Sequence, residues 1–239
     1  MTLYDKIAAP GKKLVLLIDP DKLNLSAIIA TIHAANETGI SMIFIGGSLM
    51  GTSIDSTIET IKKHTHLPIL LFPGSLLQLS NKADALLLLS LVSGRNPDYL
   101  IGNHVQAAPF IKQSGIEVIP TGYVLIDGGT VSSVEYVSNT RPIPANKPDL
   151  VVATSLAAEM LGNKVIYLEA GSGAINPVSE KIISEVKKNI SVPLIVGGGL
   201  DTTQKLKTAF DAGADTAVVG NAVEKNIDIL HILSKILRH

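Results

Sequence analysis

Short apolar runs alternate along the chain with segments whose apolar residues recur at helical spacing. The runs are continuously apolar over about four to eight residues, which is typical of strands in a parallel sheet covered on both faces. Several of them end in glycine. The predicted strands are Lys13–Asp19, Ser41–Gly47, Leu67–Gly74, Ala83–Ser90, Ile116–Ile126, Lys164–Gly171, Val192–Gly199 and Ala214–Asn221.

The segments between these strands have the period of an amphipathic helix. Their ends carry residues expected at helix boundaries: Pro97 stands near the first turn of one segment, and Gly115 follows its last turn. The predicted helices cover residues 24–39, 55–65, 97–115, 148–162, 177–189, 203–213 and 224–237.

Eight strand units in 239 residues predict a closed (β/α)8 TIM barrel, because an open doubly wound sheet would use fewer repeats in this length. Composition does not change along the chain, so we expect a single domain over residues 1–239. The segment Asp127–Pro148 interrupts the rhythm with Gly, Pro and Asn, and we interpret it as an elaborated loop at one end of the barrel.

Composition narrows the classes of function. Hydrophobic residues make up 46% of the chain and mean hydropathy is +0.35, yet no apolar run approaches the roughly 18 residues of a membrane span. A net charge of −1, scattered Lys and Arg, and 4% aromatic residues argue against nucleic acid as a partner. The lack of cysteine excludes disulfides and thiolate nucleophiles. The N-terminus has no signal-peptide pattern, so we expect a cytoplasmic protein.

Glycine-rich motifs stand at the ends of the last three predicted strands. In barrels of this type, a phosphate site often forms after strands seven and eight, beside the N-terminus of a short helix. Glycine lets backbone N–H groups approach phosphate oxygens closely. Glycines that only turn the chain are the alternative, but two motifs at the expected positions favour a phosphate site. The motifs are YLEAGSGA (Tyr167–Ala174), VGGG (Val196–Gly199) and VGNAV (Val219–Val223).

Glu169 stands on the otherwise apolar sixth strand. Burying a carboxylate is costly unless it is paired or used in chemistry. One interpretation is a satisfied core carboxylate. The favoured interpretation is a general base beside a substrate that carries a phosphate.

On the other side of the barrel, LIDPDK (Leu17–Lys22) and IGGS (Ile45–Ser48) end the first two strands with Asp19, Asp21 and Ser48. A few oxygen ligands suit Mg²⁺, which takes its other ligands from water and substrate phosphates. Asp19, at the tip of the strand, is the favoured ligand, since Asp21 could equally be a charge at a helix N-terminus. A metal opposite a phosphate site indicates a transferase with a diphosphate leaving group.

Seven motifs carry a family resemblance: LIDPDK, IGGS, SLVSGRNPDYLIGNH, PTGYVLIDGG, YLEAGSGA, VGGG and VVGN. Together they resemble the geranylgeranylglyceryl phosphate synthase family, which includes the bacterial heptaprenylglyceryl phosphate synthases. They extend from Asp19 to Asn221, so the resemblance covers nearly the whole chain. IDPDK and EAGSGA are more similar to the archaeal-type branch than to the Bacillus-type branch.

The resemblance implies a Mg²⁺-dependent enzyme that joins the C3 hydroxyl of sn-glycerol 1-phosphate to a prenyl diphosphate and releases diphosphate. It implies geranylgeranyl diphosphate as donor and a homo-oligomer, a dimer or larger. It assigns the metal to Asp19 and Ser48, proton removal to Glu169, and orientation of the glycerol to Tyr167, which would otherwise be assigned to core packing. The implied glycerol-phosphate site comprises Tyr167, Leu168, Glu169, Ala170, Gly171, Ser172, Gly173, Gly198, Gly199, Gly220 and Asn221.

One position departs from the Bacillus-type branch, which carries a lysine two residues before the metal-binding aspartate, where this chain has Leu17. Lys22 and Arg95 are the candidates to contact the diphosphate in its place, although Arg95 could instead brace a loop. A prenyl tail would need an apolar trough. ADALLLLSLV, YLIGNHV and PTGYVLI, with Tyr99 and Tyr123, are candidate lining, although core packing accounts for most of these residues.

Two other functions remain open. A sugar-phosphate isomerase or epimerase would use the same phosphate site and an acid–base pair without any diphosphate. IGGS beside IDPDK favours metal–diphosphate chemistry over this alternative. A catalytically silent phosphate-binding barrel would not need Asp19, Ser48 and Glu169 together.

Overall fold

In the described part of the chain, eight parallel strands close into a barrel in chain order. The structure is a computed structural model, and it describes residues 1–48, 50–51 and 53–238. β8 returns to pair with β1, with Leu14 opposite Ala217. The predicted (β/α)8 fold is confirmed. The strands are β1 Lys13–Ile18, β2 Ile40–Ile45, β3 Ile69–Leu71, β4 Ala85–Leu91, β5 Glu117–Leu125, β6 Val165–Glu169, β7 Leu194–Gly197 and β8 Thr216–Val219.

The helices begin and end at the residue types that favour helix boundaries. Asn24 and Ser179 accept backbone N–H bonds as N-caps of α2 and α7, and Gly115 ends α4 in the left-handed conformation, with φ +66°. Within the described residues, no helix has the length and apolar character to cross a membrane. The helices are α1 Leu3–Ala8, α2 Leu25–Asn36, α3 Ile54–Lys62, α4 Asn103–Ser114, α5 Ser133–Ser138, α6 Pro148–Met160, α7 Glu180–Asn189, α8 Thr203–Asp211, α9 Asn221–Lys225 and α10 Ile229–Leu233.

Two predicted helices are more irregular than their sequence pattern indicated. The predicted helix at residues 97–115 begins with a π-helical turn, Asp98–Gly102, before α4. The predicted terminal helix at residues 224–237 is divided into α9, α10 and a 3₁₀ segment, Ser234–Arg238. Apolar periodicity locates such segments but does not distinguish one helix type from another.

The connection between β3 and β4 contains a single 3₁₀ turn, Leu76–Gln78, in place of an α-helix. Its sequence, FPGSLLQLSNKAD, is rich in residues that favour turns. In a regular barrel a helix would cover the outer face of β4, whereas here Leu88 and Ser90 on that face are only half-buried. The short connection therefore leaves a gap along the outside of the barrel.

The segment Asp127–Pro148, predicted as a loop, contains the short helix α5. The Glu135 backbone N–H donates to Ser132 Oγ at 3.1 Å, which caps the helix start. Asn139 ends the helix in the left-handed region, with φ 49°. A helix of six residues is too short to produce a recognisable apolar period, so the sequence did not reveal it.

Apolar side chains pack on both faces of the strands, which explains the continuous apolar runs. Alternate residues form an inner core along the barrel axis and an outer core beneath the helices. The inner core includes Val15, Met42, Phe44, Leu70, Leu87, Tyr123, Val165, Tyr167, Ile195 and Val218. The outer core includes Leu14, Leu16, Ile43, Leu86, Ile166, Leu168, Ala170 and Val196.

Helix α1, which the sequence pattern did not predict, closes the amino-terminal end of the barrel. The Leu3 and Tyr4 backbone N–H groups donate to the two carboxylate oxygens of Glu117, each at 2.8 Å. Ile7 on the same helix is buried in the inner core. Because Glu117 begins β5, α1 lies at the opposite end of the barrel from the strands' carboxyl ends.

Candidate active site

A cleft of about 740 Å³ opens at the carboxyl ends of the strands, where active sites of this fold lie. One part of it is polar and lies between the ends of β1, β2, β6, β7 and β8. The other part is apolar and lies around β3, β4 and α4. The polar part is lined by Asp19, Lys22, Ser48, Glu169, Ser172, Gly173, Gly198, Gly199, Gly220, Asn221 and Glu224.

The glycines after β6 and β7 adopt left-handed backbone conformations. The φ angles are +102° at Gly171, +76° at Gly173, +84° at Gly198 and +69° at Gly199. A Cβ atom at Gly198 would lie 2.5 Å from an oxygen of Glu169, so only glycine lets the two strand ends approach. The two turns form a cradle of backbone at the wall of the cleft.

The turn after β8 joins this cradle through side chains. Helix α9 begins at Asn221, directly after Gly220. The Ser172 hydroxyl donates to Asn221 Oδ1 at 2.9 Å, which ties the β6 loop to the start of α9. The predicted arrangement of three glycine-rich strand ends around one site is therefore present.

Glu169 is buried at the edge of the cradle, with 6% of its surface exposed. The Gly171 N–H donates to Glu169 Oε1 at 2.7 Å. Burial raises the pKa of Glu169 to about 7, while the Gly171 N–H and the nearby Tyr167 hydroxyl act in the opposite direction. A carboxyl with a pKa near neutrality can accept a proton readily, as a general base must.

Tyr167 lies beside Glu169 and is fully buried. Its hydroxyl lies close enough to the Glu169 carboxylate to lower the pKa of that group. It makes no hydrogen bond of standard geometry with the residues that the structure describes, and it borders the cleft. Burial raises the pKa of Tyr167 well above its usual value, and the Glu169 charge adds to this, so the phenol stays neutral. A buried, unpaired hydroxyl at a cleft wall is available to a bound polar molecule.

Lys22 connects the β1 side of the cleft with the cradle. Its Nζ donates to Ser172 Oγ at 3.2 Å and lies 3.6 Å from both Asp19 Oδ2 and Glu224 Oε2. Asp21 instead accepts the Gly51 N–H at 2.6 Å. Of the two aspartates, Asp19 is therefore the one beside the lysine that reaches the cradle.

An apolar trough continues from the polar part of the cleft through the gap beside β4. Leu86 and Leu88 are on the outer face of β4, and Ala107 is on α4, so the trough runs between this strand and this helix. Tyr99 and Tyr123, the candidate aromatic lining residues, both border the cleft. Other apolar residues that line the cleft include Phe72, Leu76, Leu79, Leu89, Leu91, Val134 and Val137.

Comparison with known proteins places the chain in a family. The PcrB family model matches residues 9–237. The chain belongs to the PcrB family. A curated relative from Spirosoma linguale, named geranylgeranylglyceryl phosphate synthase, is 45% identical over 240 residues, which cover 100% of this chain and 96% of the relative. A relative of the same name from Thermofilum pendens is 40% identical, covering 99% of this chain and 92% of its own.

A solved structure of the same kind superposes closely on this member of the PcrB family. It is the crystal structure of (S)-3-O-geranylgeranylglyceryl phosphate synthase from Thermoplasma acidophilum in complex with its substrate sn-glycerol-1-phosphate. The TM-score is 0.94 at 33% identity, and the match covers 100% of this chain and 98% of that chain. The family resemblance indicated by the motifs is confirmed.

The ends of β1 and β2 in this PcrB-family chain have a donor set that fits a magnesium ion. No group of three His, Asp or Glu side chains in the described residues forms a protein-only metal site. Asp19 and Ser48 line the cleft, and a Cβ atom at Gly47 would lie 2.8 Å from Asp19 Oδ2, so glycine keeps the space beside the carboxylate open. Mg²⁺ is commonly held by one or two carboxylates, waters and substrate phosphates.

Four of the predicted contact residues do not line the cleft: Leu168, Ala170, Gly171 and Arg95. Gly171 is buried, and its backbone N–H donates to Glu169 Oε1. The side chains of Leu168 and Ala170 pack in the outer core, because alternate residues of a strand point to opposite faces. Arg95 donates to the Val92 and Gly94 carbonyl oxygens and borders a separate cavity. Its contacts brace a loop, which was the alternative interpretation of this residue.

Glu224 and Lys225 line the cleft but were not among the predicted residues. Burial raises the pKa of Glu224, an effect that Lys22 opposes and Asp19 reinforces. The sequence feature that could have indicated Glu224 as a site residue is its position in the first turn of α9, four residues after Gly220. Its contact with Lys22, however, joins α9 to the end of β1 and depends on the closed barrel.

Proposed function

We propose that this PcrB-family chain transfers a prenyl group from a prenyl diphosphate to the C3 hydroxyl of sn-glycerol 1-phosphate. The products are an ether and diphosphate, and geranylgeranyl diphosphate is the expected donor. The observation that carries the proposal is a single cleft in which a glycine cradle, the buried carboxylate of Glu169 and an apolar trough meet. The names of the relatives, and the sn-glycerol-1-phosphate named in the Thermoplasma acidophilum complex, support it.

The cradle binds the phosphate of the acceptor, because backbone N–H groups at glycine turns and at the start of α9 suit an anion. Gly173, Gly199 and Asn221 surround this position. Tyr167 offers its unpaired hydroxyl to the glycerol. The glycerol is then oriented with its C3 hydroxyl at the carboxylate of Glu169, so that the reacting groups are brought together before the reaction.

In the reaction the bond between prenyl C1 and the diphosphate oxygen breaks, and its electron pair leaves with diphosphate. The C3 oxygen of the glycerol forms the new bond to C1, and its proton passes to the unprotonated Glu169 carboxylate. The trough excludes water from the allylic carbon, which prevents hydrolysis of the donor.

Asp19 and Ser48 would hold Mg²⁺ at the diphosphate end of the cleft. When bound, such an ion supplies Lewis-acid neutralisation of the departing diphosphate. Lys22 adds a positive charge between this end and the cradle. It therefore takes the place of the lysine that the Bacillus-type branch has at the position of Leu17. A cytoplasmic, homo-oligomeric protein remains our prediction.

A direct test is product formation from geranylgeranyl diphosphate and sn-glycerol 1-phosphate, with and without Mg²⁺. Parallel reactions with sn-glycerol 3-phosphate and with longer prenyl diphosphates measure acceptor and donor preference. We expect an ether product that requires Mg²⁺ and prefers the 1-phosphate. No product with any donor would contradict the proposal and favour sugar-phosphate isomerisation, which has no use for an apolar trough.

A further inference from the structure

Three aromatic rings meet at the floor of the cleft, and we call Phe72, Tyr123 and Tyr167 the aromatic floor. Their ring centroids are 5.1 Å apart for Phe72–Tyr167, 5.4 Å for Tyr123–Tyr167 and 5.9 Å for Phe72–Tyr123. Phe72 and Tyr167 are nearly parallel, with an interplanar angle of 28°. Centroid separations in this range are those of offset and tilted aromatic pairs.

Phe72 is the member of the aromatic floor that is most open to the cleft. It is half-buried, whereas Tyr123 and Tyr167 expose 5% and 0% of their surfaces. All three residues line the cleft. Below them, Phe44 stacks on Phe72 at 5.9 Å but is fully buried and does not line the cleft.

The aromatic floor lies between the two ends of the proposed reaction. Phe72 follows β3, the strand that pairs with β2, which leads to Ser48 and the diphosphate end. Across the barrel, Phe72 stacks on Tyr167, two residues before Glu169. Prenyl C1 must be bonded to diphosphate at one end and attacked by the glycerol oxygen at the other, so its path crosses the floor.

We infer that Phe72, supported by Tyr123 and Tyr167, is a catalytic residue that stabilises the positive charge developing on the allylic carbons. This inference rests on the proposed function. As the C1–oxygen bond breaks, its electrons leave with diphosphate before the glycerol oxygen has fully bonded to C1, so the allyl group becomes positive. The negative face of an aromatic ring attracts such a cation, and more strongly where water is excluded.

The neighbouring groups support a cation at this position. Tyr123 and Tyr167 both remain neutral, since burial raises each pKa well above its usual value and the Glu169 charge raises it further. A neutral phenol keeps its ring next to the cation without offering a nucleophilic phenolate. The aromatic floor therefore stabilises the charge without competing with the glycerol for C1.

The test replaces Phe72 with phenylalanine carrying one, two or three ring fluorines, because fluorine withdraws ring electrons with little change of shape. The single-turnover rate of ether formation is measured with geranylgeranyl diphosphate, sn-glycerol 1-phosphate and Mg²⁺. The matched control is the same fluorine series at Phe44, which shares the stacking but does not reach the cleft. Binding of an unreactive geranylgeranyl thiolodiphosphate is measured for each variant.

We expect the logarithm of the rate to fall steadily with fluorination at residue 72, reaching a loss on the order of 10- to 30-fold at three fluorines. The Phe44 series should stay within about twofold, and the unreactive donor should bind equally to all variants. A flat Phe72 series, or an equal fall at Phe44, would overturn the inference while leaving the proposed function intact. An unsubstituted enzyme that forms no ether would overturn both.

Discussion

Glu169 has a chemical role that opposes its contribution to stability. It must be unprotonated to accept a proton, yet burial raises its pKa from an ordinary 4.5 to about 7. The folded protein therefore binds this proton more tightly than the unfolded chain does. This tighter proton binding stabilises the folded state relative to the unfolded chain. The stabilisation is fully present below about pH 4.5 and is lost as pH rises through about 7, and its total is about 3 kcal/mol.

The substitution Glu169→Gln separates these two effects. Glutamine keeps the oxygen that accepts the Gly171 N–H but carries no buried charge. We expect turnover to fall about 10²- to 10⁴-fold because the base is lost. At pH 8 the free energy of unfolding should rise by up to about 3 kcal/mol, with little gain at pH 5. Denaturant unfolding at the two pH values measures this, and an equal change at both would contradict a buried, titrating carboxylate.

At the scale of elements, the short connection after β3 produces the apolar trough. Without a helix there, the outer face of β4 is open, and the trough runs between β4 and α4. The π-helical turn before α4 carries Tyr99 to the same trough. Departures from the regular barrel are thus concentrated where the lipid tail is proposed to bind.

Helix α1 lies at the amino-terminal end of the barrel. We therefore expect changes in its contacts to affect stability without affecting the site at the carboxyl ends of the strands. The Glu117 carboxylate accepts one hydrogen bond from each of two backbone N–H groups. In Glu117→Gln, the side-chain amide N–H₂ would face one of these donors, so that hydrogen bond would be lost. We expect the free energy of unfolding to fall by about 1–3 kcal/mol, while turnover stays unchanged. Thermal or denaturant unfolding and the turnover assay together test this.

The matched control is Glu37→Gln, since Glu37 is exposed and its carboxylate lies 3.9 Å from His231 Nε2, too far for a hydrogen bond. We expect the control to change stability by less than about 0.5 kcal/mol. Equal losses in the two variants, or lost turnover in Glu117→Gln, would mean that α1 does not act as a separate closure of the barrel.

The strands were predictable because continuous apolar runs between turn residues are a local signal, and each of the eight predicted runs overlaps one of the barrel strands. Helices α1 and α5 were not predictable from the sequence pattern, because each has six residues, which is less than two helical turns. Leu168 and Ala170 were assigned to the site as part of a contiguous motif. Because alternate residues of a strand point to opposite faces, their side chains lie on the outer face of the barrel.

At the scale of the whole molecule, the site depends on contacts between residues far apart in the chain. The sequence could predict that Glu169, Gly199 and Asn221 stand at strand ends, since each motif is local. It could not predict that Lys22 reaches Ser172 and Glu224, which are brought to it by closure of the barrel. The order of strands in the closed barrel thus determines that the end of β1 and the glycine cradle share one lysine.

In the proposed function, one cleft holds a glycerol phosphate and a prenyl diphosphate at opposite ends, with Glu169 at the reacting hydroxyl. The most direct measurement is a crystal structure of the protein with sn-glycerol 1-phosphate, Mg²⁺ and unreactive geranylgeranyl thiolodiphosphate. We expect the acceptor phosphate at Gly199 and Asn221, its C3 hydroxyl within hydrogen-bond distance of Glu169, and the prenyl tail between β4 and α4. An acceptor phosphate at Asp19, or a C3 hydroxyl directed away from Glu169, would contradict the account.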